Sequence, residues 1–279
     1  MADLVPPPIT LSAELEEAFA KRGALASVRA FLARAPRPSV YAKSERVSRA
    51  PLQRWSVTRA LGFSVAEPVL GLLVSKLGGT PYLERDDRDW GAFRFLGQFN
   101  LAELPVIALP ENLRTGLLAV DCVGDNGFVG YRTRWYPAPS TERAMASAKV
   151  PCVGTWETRL HFRAGWSLPG GSDWDAALPD PKDRELWELW NEFTPPSYLE
   201  DDCDHRLFGH RSAGLDEHYG FEPAAGRSSD IREYEMLLRI SFDNPAGFHF
   251  GSNVLYVIIH RDDLAEGKLE RAVVTGANA

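Results

Sequence analysis

A strand–loop–glycine–strand pattern occurs twice in this chain and limits the fold more than any other feature. The first copy runs from Phe95-Leu-Gly-Gln-Phe-Asn-Leu-Ala-Glu-Leu through a proline-containing loop to Gly116-Leu-Leu-Ala-Val-Asp-Cys. The second runs from Leu237-Leu-Arg-Ile-Ser-Phe-Asp through a glycine-rich loop to Gly251-Ser-Asn-Val-Leu-Tyr-Val-Ile-Ile-His, then Asp262-Asp-Leu. Two copies of one hairpin-like unit predict pseudo-symmetric halves packed around a shared sheet system. Just before the first copy stand Ser75-Lys-Leu-Gly-Gly-Thr-Pro-Tyr-Leu and Trp90. Glycine reaches positive φ without steric cost, so Gly78-Gly79 read as a structural turn. Gln98, in the middle of an apolar strand, is placed to satisfy a buried backbone group. A repeat of this kind specifies architecture and carries no chemistry by itself.

Further strands follow from alternation and from β-branched and aromatic content: Phe128 to Tyr136, Thr155 to Arg163, Arg232 to Phe242 and Val254 to His260. Turn residues such as Gly124-Asp-Asn-Gly, Pro169-Gly-Gly-Ser and Asp243-Asn-Pro separate them. Helix is expected in two places. From Ser12 to Arg34, Ser12 caps a segment whose first turn carries Glu14, Glu16 and Glu17. Leu11, Leu15, Ala18 and Phe19 line one face, and Gly23 marks a break before Val28, Phe31 and Leu32. That face predicts docking on the domain body. From Asp180 to Phe193, Pro181 opens a helix bearing Leu186, Trp187, Trp190 and Phe193, and Pro195-Pro196 closes it. The expected class is α+β: mostly antiparallel sheets in two pseudo-repeated halves, peripheral helices, and an N-terminal helical extension. The boundary falls between residues 1–49, the extension, and residues 50–279, the main domain.

Composition narrows the function classes. With 279 residues, 44% of them hydrophobic, the chain can build a core without disulfides or metals. A net charge of -7 and the lack of a basic block argue against nucleic acid as a partner and suit a basic protein partner. Cys122, Cys152 and Cys203 form no C-x-x-C, which fits a reducing cytosol. The apolar stretch Val69-Leu-Gly-Leu-Leu-Val is far short of the ~20 residues that span a bilayer, and the first residues lack a signal-peptide pattern. No membrane association and a cytoplasmic location are expected. Nucleotide-binding glycine motifs and the G-x-S-x-G elbow are both absent from the sequence.

Taken together, Ser75 to Leu83, Trp90, Phe95-Leu-Gly-Gln, Gly116-Leu-Leu, His205-Arg-Leu-Phe-Gly-His and the block from Leu237 to Leu264 resemble the YwqG-like family, a bacterial domain of unknown function. The resemblance covers roughly residues 50 to 275. It departs from the family pattern at Glu84 and Gly91, where prolines are usual, and at Ala119-Val-Asp-Cys, where a more aromatic strand is usual. The chain therefore resembles a divergent member. The resemblance implies an α+β fold with duplicated sheet units and brings no catalytic residue to carry over. Some relatives are encoded near polymorphic toxin systems, so it also implies a toxin-neutralising immunity role.

The densest chemistry lies in Glu200-Asp-Asp-Cys-Asp-His205-Arg-Leu-Phe-Gly-His210, followed by Asp216-Glu-His218. Asp204, His205, His210 and His218 are the ligand types of a divalent-metal site. The five-residue step from His205 to His210 does not put both on one face of a helix or strand, and no H-E-x-x-H is present. Cys203 sits among acids that would raise its pKa, a poor setting for a thiolate. The expectation is a non-enzymatic binding protein without a cofactor. Its surface would use Asp86, Asp87, Trp90, Asp201 and Asp202 to cover a basic partner such as a toxin. The alternative is a metal-binding protein or metal-dependent hydrolase built on the His205–His210 segment.

Overall fold

The structure, a computed structural model, describes residues 9–34, 36–49, 70–85, 87, 92–106, 113–123, 130–145, 150–154, 156–167, 205–210, 221–241, 243, 245–247 and 253–278. Ten strands form one antiparallel sheet: β1 (Arg37–Arg49), β2 (Lys76–Leu77), β3 (Phe93–Asn100), β4 (Leu117–Val123), β5 (Gly130–Tyr136), β6 (Trp156–Ser167), β7 (His205–Leu207), β8 (Tyr234–Ile240), β9 (Asn253–His260) and β10 (Val273–Asn278). Their spatial order is β10-β9-β8-β7-β1-β6-β2-β3-β4-β5. The edge strands β5 and β10 approach one another, and the Thr133 hydroxyl donates to the Ala272 carbonyl at 2.9 Å, so the sheet curls toward a barrel. Its concave face holds the main core. Val40, Ala42, Leu77, Leu96, Leu118, Val120, Leu160, Leu207, Leu238, Leu255 and Val257 all belong to that one buried cluster. Strand alternation puts these residues inward and their neighbours outward.

The antiparallel class read from the sequence is what the chain forms, with helix a small part of the described residues. The four strand segments expected from alternation correspond to β5, β6, β8 and β9. The helix expected between Asp180 and Phe193 lies outside the described residues. At the N-terminus, α1 (Ala13–Lys21) and α2 (Leu25–Leu32) form as expected, and Ser12 accepts the Leu15 amide at 3.3 Å. Their apolar residues, from Leu11 to Leu32, make a small cluster of their own. Arg29 closes the pair on Glu16 at 2.5 Å. A two-helix hairpin can bury facing stripes against each other.

The sheet begins at Arg37, inside the segment read as a helical extension. The last residues of that segment are β1, and β1 is central: it pairs with β6 along its length and with β7 over Val40–Ala42. Pro38 is tolerated because it precedes the stretch that pairs on both sides. Among the described residues, no helix is long and apolar enough to cross a membrane.

The pairings on the two sides of the β1–β6 axis correspond. β6 is flanked by short β2, then bulged β3, β4 and β5; β1 is flanked by short β7, then bulged β8, β9 and β10. The bulge falls between Phe95 and Gly97 on one side and between Met236 and Leu238 on the other. Each short strand then turns with positive φ at two successive residues, Gly78 and Gly79 (64° and 77°) or Phe208 and Gly209 (59° and 87°). In each turn the first amide donates into the bulge, Gly78 to the Leu96 carbonyl at 2.9 Å and Phe208 to Leu237 at 3.1 Å.

Candidate functional site

The Gly78-Gly79 turn is shaped by what it presses against. A side chain at 79 would start 2.6 Å from the Glu157 carboxylate, and one at 78 would collide with the Trp156 carbonyl. Only glycine meets both the left-handed backbone and this approach. Next to the turn, Lys76 and Glu157 are fully buried, with Lys76 Nζ 3.6 Å from Glu157 Oε1 and 3.2 Å from the Gly71 carbonyl it donates to. Burial pulls the lysine down from 10.5 to about 8, against the opposing pull of Glu157. Gln98 sits beside them across the β2–β3 ladder, opposite Lys76. Its Oε1 accepts the Tyr82 amide at 2.8 Å, while Nε2 donates to Leu72 at 2.6 Å and Val74 at 2.9 Å. The signature is therefore a set of internal braces: Asn100 donates to the Leu73 carbonyl, and Ser75 Oγ accepts the Asn100 amide.

The second motif is equally buried. His205 faces the core between Ala42 and Ile240, and its Nε2 lies 2.8 Å from Asp243 Oδ2. Asp243 also accepts the Ala246 amide and so closes the 243–247 turn. Burial pushes the Asp243 carboxyl up, but the hydrogen bond and charge of His205 outweigh it and hold it below 3.8. His210 is buried in the following turn; its amide donates to Ser167 Oγ at 2.8 Å and its carbonyl accepts from Arg206 at 2.7 Å. Among the described residues, no three His, Cys, Asp or Glu side chains converge as a metal ion requires. Asp204 and His218 lie outside those residues.

A third network holds Asp87 and Glu84, ahead of β3. Asp121, buried on β4, takes Arg132 Nε at 2.8 Å and Arg134 Nε and Nη2 at 2.7 and 2.8 Å. Arg134 also donates to the Tyr136 hydroxyl, and that hydroxyl donates to Asp87 Oδ2 at 2.6 Å. Asp87 Oδ2 further accepts the Glu84 amide at 2.8 Å. Tyr82 meets Tyr136 edge-to-face at 4.9 Å, and burial is the main cause raising both phenols. Asp87 is thus turned in against Tyr136 of edge strand β5. Asp86, Trp90, Asp201 and Asp202, the other expected partner-surface residues, lie outside the described residues.

The described thiols are unreactive by their surroundings. Burial, with Asp121 adjacent, pushes Cys122 up to about 12, and burial also raises Cys152. Asp121, Asp243 and the pairings of Lys76 with Glu157 and His205 with Asp243 went unseen in the sequence, because the partners are brought together only by strand register.

Residues 75–276 match the family described as a domain of unknown function, DUF1963. The chain belongs to this family. The matched span opens at Ser75, the first residue of the glycine signature, and runs to Gly276 in β10. The DUF1963 match thus takes in β2 to β9 and most of β10 and leaves out β1, which the fold places at the centre of the sheet. No curated protein matches the chain.

Proposed function

We propose that this DUF1963 chain is a non-enzymatic binding protein, and that its partner is a basic protein, a toxin being the most concrete case. One observation carries the reading: the buried carboxylates among the described residues each face a basic side chain of the same chain. Asp121 faces Arg132 and Arg134, Glu157 faces Lys76, Asp243 faces His205, and Asp263 faces Arg227 and Arg271. Catalytic acids and bases have to meet a substrate, and groups paired internally in this way act as scaffold instead. A net charge of -7 favours association with a basic surface. The mechanism would be occlusion of a basic active site.

The finer family name, YwqG-like, and a bacterial, cytoplasmic setting belong to the same proposal. So does duplication of the sheet unit, which the matched bulges and turns at Gly78-Gly79 and Phe208-Gly209 support. Co-expression with the product of the adjacent gene tests the function: the reading expects a stable complex and rescue of growth if that product is toxic. Neither binding nor rescue would overturn it. The metal-dependent alternative has its own test, elemental analysis of tag-free protein. Stoichiometric metal that disappears in His210→Ala would favour that alternative over the binding reading.

A further inference from the structure

The corner between β9 and β10 is built around one buried histidine whose two ring nitrogens have different duties. His260 ends β9 opposite Tyr234 of β8, and its side chain is 9% exposed. It caps the short helix Arg261–Ala265, where Nδ1 accepts the Asp262 amide at 3.3 Å. An amide N–H can only donate, so this bond needs Nδ1 without a proton, and the ring in this state carries its proton on Nε2. Nε2 lies 3.4 Å from Glu233 Oε2. The Asp262 carboxylate lies 3.5 Å from the same Nδ1 and also takes Arg227 Nη1 at 3.2 Å. Asp262 thus offers the ring both an N–H donor and, almost as near, an anionic acceptor.

Among the described residues, the titratable groups facing the ring come from three elements. The turn before β8 supplies Glu233. From β8 the Tyr234 ring meets it edge-on at 5.4 Å, with the phenol hydroxyl donating to the Ser228 carbonyl. The helix supplies Asp262 and Asp263. Asp263, buried and within electrostatic reach of His260, is held by Arg227 at 2.6 and 3.0 Å and by Arg271 at 3.4 Å. Arg227 therefore keeps a carboxylate partner when it gives up Asp262. Arg261 reaches the Arg232 carbonyl instead of the ring, at 2.9 Å. The helix opens the connection 261–272, which carries Leu269 and Ala272 into the main core. Its Ala272 carbonyl takes the Thr133 hydroxyl of β5, so this strap ties the two edges of the sheet.

We propose that His260 is a pH-operated latch on this strap. When the ring takes up a second proton, Nδ1 becomes a donor and the Asp262 amide loses its acceptor. The Asp262 carboxylate then leaves Arg227 to hold the imidazolium alongside Glu233. The first turn of the strap passes from a backbone bond to a side-chain ion pair. The step takes one proton from solvent and forms no covalent bond. Histidine is the residue type that makes such an exchange between about pH 5 and 8. The latch uses none of the partner-surface residues, so it stands or fails apart from the binding reading.

The test follows the full, isotope-labelled chain by NMR from about pH 8 to 5. Water exchange of the Asp262 amide, corrected for its intrinsic pH dependence, is read beside the titration of the His260 ring protons. Exchange should rise about fivefold or more with the midpoint of the ring, while the amide of Val257, inside β9, stays protected. In His260→Asn the side chain accepts the amide at every pH, and the rise should be absent. In Asp262→Asn the ring loses an anionic partner and should titrate at lower pH. Flat Asp262 exchange through the ring's titration would overturn the latch. So would the same rise in His260→Asn, or a ring midpoint that Asp262→Asn leaves unmoved.

Discussion

Lys76 Nζ lies 3.6 Å from Glu157 Oε1, with both side chains fully withdrawn from water. The pair joins β2 to β6 beside the Gly78-Gly79 turn, and burial, opposed by Glu157, brings the lysine down to about 8. The unfolded chain keeps this proton up to about 10.5, the folded chain only to about 8. Between those values the unfolded state binds more protons, so stability rises with pH, by no more than about 3 kcal/mol. Urea midpoints measured across that window should climb. In Lys76→Met, Glu157→Gln the climb should vanish, while Lys76→Met alone should lose on the order of 3–5 kcal/mol by stranding a buried carboxylate.

Gly79 and Gly226 share nearly the same backbone angle, φ 77° and 76°, but only Gly79 faces a neighbour that a Cβ would strike. Alanine at 226 should cost only the left-handed backbone, about 1 kcal/mol. Alanine at 79 should cost that and the displacement of Glu157 as well, so its loss should be larger by roughly 1–3 kcal/mol. Equal midpoints for the two variants in chemical denaturation would remove the close-approach explanation.

Gln98 holds three backbone groups at once, those of Tyr82, Leu72 and Val74. Gln98→Leu keeps the volume and leaves all three without their partner, at about 1–3 kcal/mol for each group that stays dry. Hydrogen exchange gives a local readout: the Tyr82 amide should lose protection well beyond any global change. A variant in which that amide stays protected would mean another group serves it.

Much of this architecture was legible in the sequence because strands and turns are local. Alternating, aromatic and β-branched residues announced β5, β6 and β8, a short continuous apolar run announced β9, Ser12 announced α1, and Gly78-Gly79 announced a turn. Gln98, a polar residue flanked by Leu96 and Phe99, announced a backbone acceptor or donor in need of a partner. What register decides was hidden. β1 fell inside the segment read as a helical extension, residues 1–49, although Val40 and Ala42 on one of its faces belong to the core. Lys76 finds Glu157 and His205 finds Asp243 across long loops, and no local pattern marks such pairs. The likeness between Lys76-Leu-Gly-Gly and Arg206-Leu-Phe-Gly was also obscured, since Phe208 adopts a left-handed angle that its identity does not advertise.

The central claim is that this scaffold acts by binding, and calorimetric titration of the full chain with the purified product of the adjacent gene tests it most directly. The account predicts a saturable complex with Kd of about 1 μM or tighter, weakened at least tenfold when Asp86, Asp201 and Asp202 are changed together to asparagine. Asp87→Asn should weaken it less directly, through loss of the brace to Tyr136. The absence of any binding heat at tens of micromolar protein, on the order of the weakest specific complexes, would contradict the account.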